Sequence, residues 1–488
     1  MGQDLSSPSP FVTHVVGGGT STIDKNICRG EFDINATEEE LAIVRRVIST
    51  LKTRSTITTS TTSSEISSSL RIIDWPVSGA EDLDFLRDAD NDYKTWDFDI
   101  WQLSPLDILP LTMKILCDFH IPTKFALREE TWCAFMSKVE SAMHLKVNPY
   151  HNFLHILDVF QSCSVILGDM GAGLRLHSEN DPVALLISAL CHDLEHPGTN
   201  NLYQINSSSP LAIRYNDISV LENHHCAVAF DIIGQSDSAI FAGMDAPLRK
   251  TIRKTIIALI ISTDMFFHFQ LTEQLDVAVI NNTSAPTALL APPRDPVLSE
   301  NDRLVFLKAL LHVADISNPA KVWTISKKWS DLVLLEFFDQ GDREKKESLL
   351  PVSMNCDRDT VQQDEMSINF TDFVVAPFFF VLAKILSKMS IPCKHLENNR
   401  NVWHDMAISR MTASMQAIQL AAGAGDASPH VSQKVAAAVA TPASLAIAAA
   451  IAKLEARKEA FSVKLKSVLD QQAPTLGGGA TPRPSNSI

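Results

Sequence analysis

Asn148-Pro149-Tyr150-His151-Asn152-Phe153-Leu154-His155-Ile156-Leu157-Asp158 is the stretch on which the reading of this chain turns. Two histidines, His151 and His155, stand four residues apart in it. Apolar residues then recur between polar ones with helical period, through Phe153, Leu154, Leu157, Val159 and Phe160. Residues i and i+4 share a helix face, so both imidazoles are predicted to point into one pocket. Asn148-Pro149 is a turn signal and places the pair in the first turns of that helix. Two histidines at this spacing are by themselves compatible with an ordinary helix face. Polar groups further along the chain change their meaning.

Apolar helical segments continue on both sides. Leu111–His120, Glu129–Leu145 and Leu154–Met170 read as helices, and strand-like alternation is scarce. Residues 95–415 are therefore expected to be all-α, a compact multi-helix bundle. Ala184–Leu190 is an apolar run ending in Cys191-His192-Asp193-Leu194-Glu195-His196-Pro197-Gly198. A second apolar helix, Leu304–Val313, runs into Ala314-Asp315-Ile316-Ser317-Asn318-Pro319. Histidine and aspartate are costly to bury unless paired or bound to metal. Each group alone fits a satisfied core polar residue or a cap. Together, three histidines and two aspartates from separate helices form an imidazole-plus-carboxylate set suited to zinc, iron, manganese or magnesium.

The motifs stand in a telling order. They are His151-Asn152-x-x-His155, His192-Asp193-x-x-His196-Pro197-Gly198, Tyr215-Asn216-Asp217, Leu221-Glu222-Asn223-His224-His225 and Thr263-Asp264-Met265. Ala314-Asp315-Ile316-Ser317-Asn318-Pro319 and Glu336-Phe337-Phe338-x-Gln340-Gly341-Asp342 come after them. In combination they resemble the catalytic domain of class I 3',5'-cyclic nucleotide phosphodiesterases, an all-α fold of the histidine-aspartate metal phosphohydrolase type. The resemblance covers residues 95–415.

The resemblance implies two divalent ions, zinc at the tight site and magnesium or manganese at the second. His155, His192, Asp193 and Asp315 match the ligands of the tight ion, with Asp193 shared by both. His196, Glu222 and Thr263 match residues that anchor the metal waters. His151 matches the general acid. Tyr150, Asn318, Val333 and Phe370 match nucleotide-pocket positions, with Val333 and Phe370 clamping the purine. The expected activity is hydrolysis of cAMP, cGMP or both to nucleoside 5'-monophosphates. One position departs from the family. Where a glutamine reads the purine edge three residues before the clamp phenylalanine, this chain has Ser367, and a usual glycine is Asn369. Gln362 and Gln363 lie nearby but off register. Two other readings stay open: a catalytically weak member that binds or scaffolds, and a metal phosphohydrolase acting on nucleotides outside the cyclic class.

The rest of the chain sets the context. It has 488 residues, 45% of them hydrophobic and 20% charged, enough for a sizeable core. A net charge of -15 argues against nucleic acid as a partner. Eight cysteines show no paired spacing, and no signal peptide is evident, so a cytoplasmic setting is expected. Residues 1–90, rich in Ser and Thr over 49–69, are expected to be largely disordered, with a short helix over Glu38–Leu51. Gly2 with Ser6 fits the N-myristoylation pattern, and one acyl chain would give only weak, reversible membrane association. A Pro-, Ala- and Thr-rich loop, Asn281–Glu300, is read as a surface excursion or a lid.

Past Met415, Ala421–Gly425 reads as a linker, within a tail spanning 420–476. The alanine-rich stretch 435–452 is not read as a membrane span, because Thr441-Pro442 at its centre is better taken as a helix start. From there Ile447, Ile451, Leu454, Lys458, Phe461, Leu465 and Val468 form a seam of heptad spacing. That seam fits either a homodimeric coiled coil or one amphipathic helix docked on its own domain. Residues 477–488 are expected to be disordered.

Overall fold

A computed structural model describes residues 92–143, 148–170, 180–283, 299–424 and 441–472. Gly2, the rest of residues 1–90, the helix expected over Glu38–Leu51 and the 477–488 tail lie outside the described residues. The chain divides into two compact units. One, Met1–Ser64 with Ser104–Leu106, falls almost wholly outside the described residues. The other, Glu65–Leu103 with Asp107–Ile488, holds the helical bundle and its site.

Among the described residues every regular element is helical. In chain order they are α1 (Ile108–Asp118), α2 (Ile121–Phe125), α3 (Glu129–Ala142), α4 (Phe153–Val165) and α5 (Asp181–Cys191). Next come α6 (Asn201–Asn206), α7 (Pro210–Tyr215), α8 (Val220–Gly234), α9 (Ala246–Ile261), α10 (His268–Thr283) and α11 (Glu300–Asp315). The last five are α12 (Trp323–Glu347), α13 (Gln363–Phe370), α14 (Ala376–Ala383), α15 (Ser390–Ala424) and α16 (Pro442–Gln472). Turns of π-helix succeed α4 at Ile166–Met170 and α13 at Thr371–Val375.

The helix starts are set by ordinary capping chemistry. Side chains of Asn152, Ser209, Asp245 and Ser299 accept from first-turn amides of α4, α7, α9 and α11. The loop expected over Asn281–Glu300 is described only at its ends, where α10 finishes and Ser299 caps α11. Helix α4 is the axis of the bundle: every residue in it except Leu154 is buried. It packs on α5 and α11, and α5 packs on α9. Trp132, Phe135, Phe160, Phe306, Trp329, Phe378 and Phe379 are fully buried in this core.

Two sequence expectations need correction, and a third left two partners open. The first is that both His151 and His155 lie on a helix. Helix α4 starts at Phe153, and Asn152 caps it by accepting from the amides of Leu154 and His155. His151 lies ahead of the cap, so it reaches the site through a turn and not through an i, i+4 face. The second concerns the linker: Ala421–Ala424 are still helical, the natural state of an alanine-rich run.

The third concerns the seam. Thr441 does start a helix, its hydroxyl accepting from the Ser444 amide at 3.1 Å. Of the two partners open to the seam, the chain uses its own domain. Leu454, Phe461, Leu465 and Val468 are buried, and α16 packs on α15 and α14. The Phe461 and Phe380 rings lie 5.6 Å apart. A homodimer through this seam would first have to strip it from the core.

Candidate metal centre and nucleotide pocket

Helix ends supply the site. His155 opens α4, His192 caps the C-terminus of α5, Asp193 comes directly after it, and Asp315 is the last residue of α11. One ligand atom from each of the four lies within 4.8 Å of the others. His155 Nε2 is 3.3 Å from Asp193 Oδ2 and 3.2 Å from Asp315 Oδ1. His192 Nε2 is 3.3 Å from the same two oxygens. Ligand bonds of about 2.0–2.2 Å place neighbouring donors of one ion roughly 3.0–3.5 Å apart. The donor spacing therefore fits a single ion at the centre.

The hydrogen bonding fits it as well. His192 Nδ1 lies 2.9 Å from the Ala189 carbonyl, a donation that fixes the tautomer and leaves the Nε2 lone pair facing inward. His155 Nε2, His192 Nε2 and Asp193 Oδ2 are buried with no hydrogen-bond partner in the protein. Such groups are expensive unless something binds them. Burial opposes charge on the two aspartates, but His192 and His155 outweigh it and hold both carboxyls well below their usual range.

Beside the four donors lies a second group. His151 Nδ1 pairs with Glu336 Oε1, and Glu336 Oε2 accepts from the backbone amides of Tyr150 at 2.9 Å and His151 at 3.0 Å. Burial would lower the His151 pKa, but Glu336 overrides it and lifts the imidazole to about 9. Burial likewise opposes ionisation of Glu336, and His151 more than offsets it, bringing the carboxyl down to about 2. The His151 ring stacks on His196 with centroids 3.8 Å apart. His196 is held neutral, first by burial and then by the cation beside it.

Asn148 ties these two histidine turns together. Its amide nitrogen donates to the carbonyls of His151 and His196. Gly198, at φ +70°, makes room: a Cβ there would meet Asn148 Oδ1 at 2.6 Å. Only a residue without a side chain fits so close a backbone approach in the left-handed region.

Glu222 is buried on α8, receives the Asn201 amide at 2.9 Å, and is pushed up to about 7 by burial and then by Asp264. Thr263 is buried after α9, donating to Ile260, and neighbours that Asp264. His225, to which the sequence assigned no role of its own, also faces the cluster. Its Nδ1 lies 2.6 Å from the Leu194 carbonyl and its Nε2 3.8 Å from Asp193.

The pocket side rests on α12. Trp329 stands edge-on to Tyr150 and His155, with centroids 5.6 and 5.9 Å away. Tyr150 donates to Asn318 Oδ1, and Asn318 Nδ2 donates to Asp158 at 3.3 Å. Asp158 is buried 3.4 Å from Lys321, which also donates to Ser162 at 2.8 Å. This buried chain fixes which end of the Asn318 amide faces Tyr150. Val333 on α12 and Phe370 at the end of α13 are both half-buried.

Ser367 lies 3.2 Å, Oγ to Oγ, from Ser330 of α12. Gln363, out of register in sequence, reaches the same place in space: its Nε2 donates to Ser330 at 3.1 Å and to Asp331 at 2.6 Å. Gln363 sits one helical turn before Ser367, and that i, i+4 relation was the available signal. Glu336 and Trp329 likewise had no role legible in the sequence. With Val333 they occupy one face of α12 at i, i+4 and i+7.

The sequence profile of the 3'5'-cyclic nucleotide phosphodiesterase family matches residues 150–396. A 3',5'-cyclic-nucleotide phosphodiesterase, regA, of Dictyostelium discoideum is 36% identical over 317 residues, 65% of this chain and 38% of that protein. A Drosophila melanogaster 3',5'-cyclic-AMP phosphodiesterase, isoform F, is 35% identical over 319 residues, 64% of this chain and 47% of that one. The chain thus spans less than half the length of these two relatives. Among solved structures, the phosphodiesterase domain of the RhoPDE fusion protein from Salpingoeca rosetta superposes with TM-score 0.59 at 30% identity, over 68% of this chain and 99% of that one. LmjPDEB1 in complex with IBMX gives 0.58 at 26%, over 65% and 93%. The matched region contains every donor and pocket residue described above, on the same all-helical scaffold, and by this match the chain belongs to the 3',5'-cyclic nucleotide phosphodiesterase family.

Proposed function

We propose that this chain hydrolyses the 3' phosphoester bond of cyclic nucleotides, cAMP, cGMP or both, releasing nucleoside 5'-monophosphates. The observation that carries the reading is the juxtaposition of two devices: the buried four-donor cluster and the His151–Glu336 pair. His155, His192, Asp193 and Asp315 would hold the tight ion, zinc, with Asp193 shared with a second ion, magnesium or manganese. When bound, the two ions supply charge neutralisation at the phosphate and an ionised water near neutral pH. His196, Glu222 and Thr263 would orient waters around them.

The remaining work falls to the chain's own groups. His151, kept protonated by Glu336, donates from Nε2 to the departing 3'-oxygen. An alkoxide would otherwise have to leave. Its Nδ1 proton stays on the ring, hydrogen-bonded to the Glu336 carboxylate, so the ring keeps its direction through the step. Phe370 and Val333 hold the base between a ring and an aliphatic wall, a stack worth about 1–3 kcal/mol. Ser330 and Ser367 offer hydroxyls to the base edge in place of an amide. Gly2 acylation would add weak membrane attachment.

The test is turnover of both cyclic nucleotides by the purified full chain, with product identified chromatographically. Activity should vanish after chelation and return with zinc plus magnesium or manganese. Absence of 5'-monophosphate from both substrates after metal is restored would overturn the reading. A second reading, a catalytically weak binder, draws on the already paired Ser367 hydroxyl, and nucleotide binding without product would favour it.

A further inference from the structure

Helix α16 lies beyond the region matched by the family profile, yet it grips the segment that carries the base clamp. Arg457 is the point of contact. Both of its terminal nitrogens donate to Asn369 Oδ1 at 3.1 Å. Its Nε and one terminal nitrogen donate to Asp372 Oδ2, at 3.1 and 2.7 Å. Its guanidinium also lies over the Phe373 ring, 4.9 Å from the centroid. Asp372 is shared with a fully buried arginine of α15, Arg400, at 2.6 and 3.0 Å.

The placement is specific. Asn369 directly precedes Phe370, and Asp372 stands two residues after it. Between them the backbone leaves the α-helical ladder and enters the π turn at Thr371. A π turn is an irregular helical joint, so outside contacts have leverage on where its side chains point. Arg410 of α15 holds the first turn of α13 through Asp364 and Glu365. Among the described residues, the clamp end is hydrogen-bonded to α15 only through Asp372. Asn369 is also where the chain replaces a usual glycine, and a glycine would give Arg457 no side-chain acceptor.

We propose that Arg457 is a positioning residue for nucleotide binding. Through Asn369 and Asp372 it fixes the direction of Phe370 and Ser367, so the C-terminal helix is part of the binding apparatus. The apolar seam of Leu454, Phe461, Leu465 and Val468 anchors α16, and Arg457 converts that anchorage into a fixed clamp. The inference rests on the cyclic nucleotide reading of the pocket.

The experiment is steady-state kinetics of full-length Arg457→Ala, Arg457→Lys, Asn369→Gly and the Arg457→Ala/Asn369→Gly double variant. Backbone hydrogen exchange over 363–375 is measured alongside. Arg457→Ala should raise KM about three- to ten-fold at nearly unchanged kcat and melting temperature, the scale of one or two lost hydrogen bonds. Arg457→Lys should recover part of it. Asn369→Gly should act in the same direction, and the double variant should be no worse than Arg457→Ala, because the two residues act as a pair. Exchange should quicken over 367–375 and stay unchanged over 150–165.

An unchanged KM in Arg457→Ala would overturn the proposal. So would additive losses in the double variant, or kcat, KM and melting temperature falling together. If the wild-type chain turns over neither nucleotide, the functional reading has failed. The exchange data then still decide whether Arg457 orders the segment.

Discussion

Replacing Glu336 by glutamine isolates what holds the His151 proton. In the wild-type fold the imidazole rises from 6.5 to about 9, which corresponds to roughly 3 kcal/mol in favour of the cation. Burial works the other way, so nearly all of this comes from the carboxylate, with smaller help from Asp193 and Asp315. Glutamine keeps the shape and one acceptor oxygen for the Tyr150 and His151 amides. Its amide nitrogen, placed against Nδ1, would then favour a neutral ring.

Without the carboxylate, the pKa of His151 should return to about 6.5 or below. At pH 7.5 the protonated fraction then falls from nearly all to about one-tenth or less, and kcat should fall about ten-fold or more, within the 10²–10⁴-fold ceiling of a general acid. Acidification toward pH 5.5 should recover much of it. The assay is a kcat profile from pH 5 to 10 for both proteins. The wild type should lose activity as pH rises through about 9, and the variant should do so near or below 6.5. An alkaline limb that stays near 9 in Glu336→Gln would refute the assignment of that limb to His151.

Three further outcomes are expected. Asp193→Ala and Asp315→Ala should abolish turnover and lower bound metal measured by mass spectrometry, and near-normal values of both in either variant would remove that residue from the metal site. Ser367→Gln should lower KM for at least one cyclic nucleotide at similar kcat, while Gln363→Leu should change the ratio of the two KM values by freeing Ser330; if neither variant moves any KM, these groups do not face the base. Gly198→Ala forces a left-handed φ and a 2.6 Å approach to Asn148. A cost of about 1–2 kcal/mol is expected, seen as a melting shift of a few degrees, with kcat falling further because Asn148 sets the His151 turn; an unaltered melting curve would show that the turn relaxes freely.

Local pattern showed the helices and the chemical groups, and missed how the chain brings them together. The alternation of apolar and polar residues was enough for α1, α3 and α4 to within a few residues, because burial of one face dictates period. The four-donor cluster was legible because His192, Asp193 and Asp315 interrupt apolar runs, where polar groups need a partner. His151 was found, but for the wrong geometric reason: the side-chain cap of Asn152 moves the helix start past it. Glu336 stood in a motif but without a role, because one carboxylate among several on a long half-polar helix shows its use only when its partner, 185 residues away, is placed beside it. Gln363 was dismissed on register, yet helices compare residues by turn and not by alignment column. The heptad seam of α16 was visible, but its partner was not, since an apolar stripe of that spacing suits a second copy or the chain's own core equally well.

Helix α12 joins the two halves of the site. Trp329 and Val333 share one face of it, Ser330 bonds to Ser367 on α13, and Glu336 bonds to His151 ahead of α4. From Ser330 to Glu336 is six residues, about 9 Å along a rigid helix. Ser330 and Glu336 are therefore fixed relative to each other by backbone hydrogen bonds. Helix α13 is different. It meets α12 through side-chain hydroxyls, and its far end passes into a π turn held by Arg400 and Arg457. Loosening of the pocket should therefore appear on the Phe370 side before the Val333 side. Changes in α13 and its π turn should alter affinity before chemistry, because among the described residues His151 and Glu336 share no hydrogen bond with that wall.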